Sequence, residues 1–218
     1  NMLSKAIENA QKKVEGNNFS VRKHLLDYDR VNNEQREIIY SDRNRVLRGE
    51  DMKDHILSML KSVIERTVNT YTGELPIKEW DLNGINDQLL MIFRRPALLL
   101  KELEKTNPTK EQVIESLYND AIVKYNAKEE EIGSEMMREV ERIILLRVID
   151  QKWTDHIDDM DQMRQGISLR AYAQRDPLLE YKFVSFDMFE ELSNNIQYDT
   201  IKSLYNVRVA MAPEKREQ

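Results

Sequence analysis

The amino-acid sequence predicts an all-α protein: a long helix packed with a two-helix hairpin, plus a smaller helical region inserted between them. Three observations predict it. Gly (6) and Pro (5) are scarce in 218 residues, so turns are few and elements long. Glu, Lys, Arg, Leu, Ile and Met dominate, and these residues lose little side-chain freedom in a helix. Apolar residues recur at three- and four-residue spacing along most of the chain.

Residues 2–48 contain no proline and repeat Leu3, Ile7, Ala10, Val14, Val21, Leu25, Tyr28, Ile38, Ile39 and Val46. Gly16 with Asn17 and Asn18 weakens the middle by about 1 kcal/mol, but the pattern resumes in phase, so one helix is expected, ended by Gly49. At 1.5 Å per residue it is roughly 70 Å long, against about 30–40 Å for a compact domain of this size, so it has to bridge between bodies. Asp51 caps a second helix with the stripe Met52, Ile56, Met59, Leu60, Val63 and Ile64, closed by Gly73 and Pro76. Leu75 to Pro108 is irregular, with short helices expected at Leu89–Phe93 and Ala97–Leu100. Thr109 with Gln112 spells a capping box for a helix carrying Val113, Ile114, Leu117, Ala121 and Tyr125, which stops at Gly133.

Ser134 is the expected cap of the next helix, whose stripe reads Met136, Val140, Ile143, Ile144, Val148, Trp153, Ile157, Met160 and Met163 and runs to Gly166. Asp176 followed by Pro177 places an N-cap and a first helical residue. The last helix bears Leu178, Tyr181, Phe186, Phe189, Leu192, Ile196, Ile201 and Leu204. The connection from Gly166 to Arg175 exceeds the roughly 2–8 residues usual between neighbouring helices, which reads as a presented tip.

Composition and motifs exclude several function classes. With no cysteine there is no disulfide framework and no thiolate metal site. No apolar run approaches the roughly 20 residues of a membrane span. A net charge of -6 argues against general nucleic-acid affinity. The opening Asn1-Met2-Leu3-Ser4-Lys5 leads straight into an amphipathic pattern, the expectation for a piece of a longer protein. Phosphate-binding glycine loops are missing. His24, His55 and His156 do not fall at zinc-helix spacing. His156, among Asp155, Asp158 and Asp159, is either a carboxylate-oriented base or ligand of a stand-alone enzyme or, the reading favoured because no nucleophile motif accompanies it, a helix-surface histidine paired with acids one turn away. Asp158 and Asp159 are adjacent, so they point apart and form a solvated face. No catalytic residue and no metal ligand are expected.

The segment Met163 to Pro177 differs. Arg164, Arg170 and Arg175 fall between Asp161 and Asp176 with no acid among them, beside Leu169 and Tyr172. Either this basic, aromatic tip meets another molecule, or Leu169 and Tyr172 fold back onto the bundle and the arginines are merely solvated.

The sequence resembles the SecA preprotein translocase family, in its helical scaffold and helical wing domains. The resemblance rests on Ala10-Gln11-Lys12-Lys13-Val14-Glu15-Gly16-Asn17-Asn18-Phe19, on Leu25-Leu26-Asp27-Tyr28-Asp29, and on Asp161-Gln162-Met163-Arg164-Gln165-Gly166-Ile167 continuing to Leu169-Arg170-Ala171-Tyr172 and Asp176-Pro177. It covers nearly the whole chain, most thinly over residues 70–108, and departs at Ser168, where the family often has histidine. It implies a scaffold helix over residues 1–50, a wing over 51–133, and a continued scaffold over 134–218 forming a two-helix finger with its tip at about 166–176. It further implies that Tyr172, Arg170, Leu169, Arg175 and Ile167 contact the polypeptide or the channel, Tyr172 matching the fingertip tyrosine. The implied partners are the SecYEG channel, an unfolded preprotein, the family's nucleotide-binding domains, an acidic-lipid membrane surface and a second copy as a homodimer, with no nucleic acid. The implied location is the cytoplasmic face of the bacterial plasma membrane. The resemblance also implies no cofactor for this fragment, with ATP and magnesium belonging to the family's motor domains, which together with the family's cysteine-rich zinc tail find no match here. The alternative is a coiled-coil-like structural adaptor without a transport role.

Overall fold

The structure is a computed structural model and describes residues 2–49, 52–73, 77–94, 108–170 and 176–208. Among these the chain is all-α, as expected, with no strand. The helices are α1 (Met2–Arg48), α2 (Met52–Thr72), α3 (Leu82–Phe93), α4 (Lys110–Ile132), α5 (Ser134–Arg170) and α6 (Pro177–Asn206), with a 3-10 turn at Ile77–Glu79. The expected cap Asp51, the breaker Pro76 and the helix at Ala97–Leu100 lie outside the described residues.

Local signals set most boundaries. Gly16 sits inside an unbroken α1. Gly49, at φ +68°, donates its N–H to the Val46 carbonyl and ends that helix. The Thr109 cap is reciprocal: its hydroxyl accepts from Gln112 N–H at 3.3 Å, and the Gln112 side chain accepts from Thr109 N–H at 2.9 Å. Gly133 alone joins α4 to α5 at φ +85°. Its N–H binds the Glu129 carbonyl and its own carbonyl accepts from Met137, so Gly133 rather than Ser134 takes the cap position of α5. Asp176 caps α6 through Leu178 N–H at 2.9 Å, with Pro177 first in the helix.

Contacts divide the chain into two compact units, one formed by residues 1–42 with 153–192 and the other by 43–152 with 193–218. In the second unit α2 packs against α3 and α4. Every residue of the expected α2 stripe is buried, with Ile85, Leu89 and Ile92 of α3 and Val113, Leu117, Ala121 and Tyr125 of α4. Full burial of each large aliphatic side chain contributes about 1.5–3 kcal/mol.

A buried ionic network crosses this core. The Tyr125 hydroxyl donates to Glu141 Oε1 at 2.5 Å, and Arg138 reaches Tyr125, Glu129 and Glu141 at 2.6–3.1 Å. Lys53 closes it on Glu129 at 2.6 Å. Burial raises the proton affinity of Glu141, opposed by the Tyr125 hydrogen bond and by Arg138. At the end of α6, Lys128 Nζ donates to the carbonyls of Leu204 and Val207 at 2.6 and 2.7 Å, a cation on last-turn acceptors. Tyr205 donates to the Ala121 carbonyl at 2.9 Å and stacks edge-on against Phe93.

The phase of α5 differs from the expected stripe. The buried row is Met137, Glu141, Leu145, Ile149, His156, Met160 and Ile167, while Met136, Ile143 and Ile157 are exposed. The run Ile143-Ile144-Leu145-Leu146 is apolar all round, so several stripes can be drawn through it. The true row also contains Glu141 and His156, which an apolar template passes over. In α6, Phe186, expected inside, is 68% exposed. Ser185 takes the inward position and donates its hydroxyl to the Tyr181 carbonyl.

Candidate contact surface on the terminal hairpin

In the first unit, three helix segments meet on Tyr181. Its ring is fully buried with Met160 and Ile167, and Tyr28, Val31, Met163 and Met188 pack around them. Tyr28 and Tyr181 contact edge to face with centroids 4.7 Å apart. The Tyr181 hydroxyl donates to Asn32 Oδ1 at 2.8 Å, and burial raises its proton affinity, so it stays a neutral donor. Tyr181 thus ties the start of α6 to both α1 and α5.

A second tie lies one level away. Gln35 donates its side-chain N–H to the Ser185 carbonyl at 3.0 Å, and its amide oxygen sits 2.8 Å from His156 Nε2. That oxygen can only accept, so His156 carries its proton on Nε2. His156 is 5% exposed, packed between Trp153 and Phe189, and burial lowers its proton affinity. The expected surface histidine is therefore a core residue whose partner is an amide 121 positions away, while Asp155, Asp158 and Asp159 stay exposed.

Of the expected contact residues, Ile167 is 4% exposed and faces the Tyr181 cluster, so it anchors the hairpin from inside. Leu169 and Arg170 belong to the last turn of α5, and their side chains lie outside the described residues. Tyr172 and Arg175 also lie outside them. The helix does not stop at Gly166. It runs to Arg170, which leaves six residues, 171–176, before Pro177. That is an ordinary connection, so loop length gives no argument for a protruding tip. A glycine inside a helix costs only about 1 kcal/mol, too little to end one with good formers on both sides.

Elsewhere the unit exposes apolar side chains. Leu3, Ile7, Val14, Phe19, Val21, Leu25 and Leu26 of α1 are 52–78% exposed, and Leu179, Phe183 and Phe186 of α6 are 53–68% exposed. A groove between α1 and α6 is lined by Val31, Ile38, Phe186 and Phe189 together with Asp27, Arg30, Glu34 and Lys182. Among the described residues no group of three His, Asp or Glu side chains comes together to hold a metal ion.

Comparison with known proteins gives the family. The family model described as SecA Wing and Scaffold domain matches residues 1–208. This chain belongs to that family. Similar full-length relatives are named Protein translocase subunit SecA 1 in Alkaliphilus metalliredigens, 50% identical, and in Clostridioides difficile, 48% identical, each over 99% of this chain. Protein translocase subunit SecA of Caldicellulosiruptor saccharolyticus is 48% identical over 98% of it. The chain spans about a quarter of the length of these relatives, 24–25%. In this SecA wing and scaffold chain, sequence reasoning missed the Gln35–His156–Ser185 tie. Its parts are far apart along the chain, and nothing local marks Gln35 as an inward residue.

Proposed function

We propose that this chain is the scaffold and two-helix-finger portion of a SecA protein translocation motor. It would couple ATP hydrolysis in motor domains outside this chain to movement of a preprotein through the SecYEG channel. Family membership over residues 1–208 carries the reading. The hairpin supports it physically: buried Tyr181, Ile167 and His156 stiffen the base from which Leu169, Arg170, Tyr172 and Arg175 continue. Tyrosine offers stacking and hydrogen bonding without strict sequence demands, and arginine meets backbone carbonyls and carboxylates, which suits an unfolded polypeptide. On this reading the fragment has no catalytic residue of its own. ATP and magnesium bind the motor domains, and the protein works at the cytoplasmic face of the membrane, with acidic lipids and a second copy as further partners. No helix among the described residues is long and apolar enough to cross a membrane.

The test is Tyr172→Ala in the full-length protein. Folding should be unchanged and preprotein translocation reduced at least tenfold. A normal translocation rate removes the proposal for Tyr172. If changing Arg170, Tyr172 and Arg175 together also leaves channel binding intact, the chain is a structural adaptor instead.

A further inference from the structure

Arg66 of α2, in the second unit, spends its guanidinium on neutral groups. Its Nη1 donates to the amide oxygens of Asn194 at 2.7 Å and Gln197 at 2.8 Å, and Nη2 makes a long contact of 3.4 Å to the Asn194 carbonyl. All three acceptors are neutral. A guanidinium has five N–H donors in a flat fork, and the edge formed by Nε–H and the neighbouring Nη2–H is the one that takes an oxyanion through two parallel bonds. Both amide oxygens sit on Nη1, away from Nε–H, and only the long Asn194 contact draws on Nη2. Arg66 is half-buried, and burial lowers its proton affinity.

The surroundings match. Arg66 lines a pocket of about 240 Å³ between α2, α3 and α6, together with Tyr71, Gln88, Asn194, Asn195 and Tyr198. No lining residue is acidic. Burial, and after it the Asp199 carboxylate just outside the lining, raise the proton affinity of Tyr198, so its hydroxyl remains a donor. A cation among lining hydroxyls and amides, with Lys202 5.6 Å over the Tyr198 ring as a second cation nearby, suits a small tetrahedral oxyanion, in a volume too small for a large ligand.

The geometry points to a phosphate-binding pocket built on Arg66, taking one phosphate group, free or as a monoester, on the Nε–Nη2 edge of the guanidinium. Asn194 and Gln197 hold Nη1 and fix the plane of the guanidinium.

The experiment is an NMR titration of the arginine Nε–H signals of the full chain with sodium phosphate at constant ionic strength, with glycerol 3-phosphate and acetate in parallel. The Arg66 signal should shift saturably with phosphate, half-saturating in the millimolar range. An equal response to glycerol 3-phosphate assigns the site to phosphate monoesters, and a response to phosphate alone assigns it to the free ion. Arg66→Gln should abolish the saturable shifts at neighbouring Asn195 and Tyr198. Asn195→Asp keeps the Asn194–Gln197 clamp and adds a carboxylate to an exposed lining position, so it should weaken binding at least tenfold in a folded protein. A linear response, a response to acetate alone, or undiminished binding by Asn195→Asp overturns the proposal and leaves Arg66 as a clamp between α2 and α6.

Discussion

Gln35 engages both ends of its amide inside the first unit, with Ser185 accepting from it and His156 donating to it. Charging His156 adds a proton to a ring that is 5% exposed. Burial lowers its folded proton affinity, so below about pH 6.5 the unfolded chain binds more protons than the folded one. The stabilisation is therefore complete above that pH and lost as pH falls through the depressed folded value. For one proton the slope is at most about 1.4 kcal/mol per pH unit. Denaturant unfolding across this range should show the slope in the natural chain and a shallower one in His156→Gln; identical slopes would refute the assignment. The sequence misplaced this histidine because neighbouring aspartates are visible in a linear reading and a glutamine 121 residues away is not.

Elements whose ends are written in short-range chemistry were legible. The Thr109–Gln112 box, the Asp176–Pro177 start and the glycine stops at 49, 73 and 133 all stand where expected, because each involves residues within four positions. Gly84 lies inside α3 for a packing reason. A Cβ there would fall 2.4 Å from Tyr71 ring atoms and 2.6 Å from Asp81 Oδ2. Gly84→Ala, although favourable to an isolated helix, should therefore destabilise the α2–α3 contact by about 1–3 kcal/mol. A lowered thermal midpoint is the expected readout, and an unchanged or raised one would show that Tyr71 gives way freely. The phase of α5 was illegible for the opposite reason. A helix apolar on several faces carries no single stripe, and its buried row is chosen by neighbours distant in sequence.

For the whole molecule, the exposed apolar row from Leu3 to Leu26 sets solution behaviour more than the net charge of -6 does. Rows of this kind bind hydrophobic dyes and promote association. Val14→Gln with Phe19→Gln should cut dye fluorescence of the isolated chain by about half. The unfolding midpoint should move by less than about 0.5 kcal/mol equivalent, since both side chains are already in solvent. A large loss of stability would mean that something in the chain covers them. The sequence announced this helix and its apolar face but not which side is covered, because that depends on packing across long separations. The candidate tip was likewise found by family likeness and local charge, with Tyr172 and Arg175 beyond the described residues.

The lysine that holds the end of α6 has a use at the bench. Lys128 places its ammonium on two carbonyls, in surroundings that already favour loss of its proton. While that grip lasts, an amine-acylating reagent should pass it by and label exposed Lys12 and Lys61 instead. When the last turn frays, the released amine reaches solvent and reacts like any exposed lysine. Mass spectrometry of its labelling over time would then time the unwinding of that terminus, with no probe added to the chain.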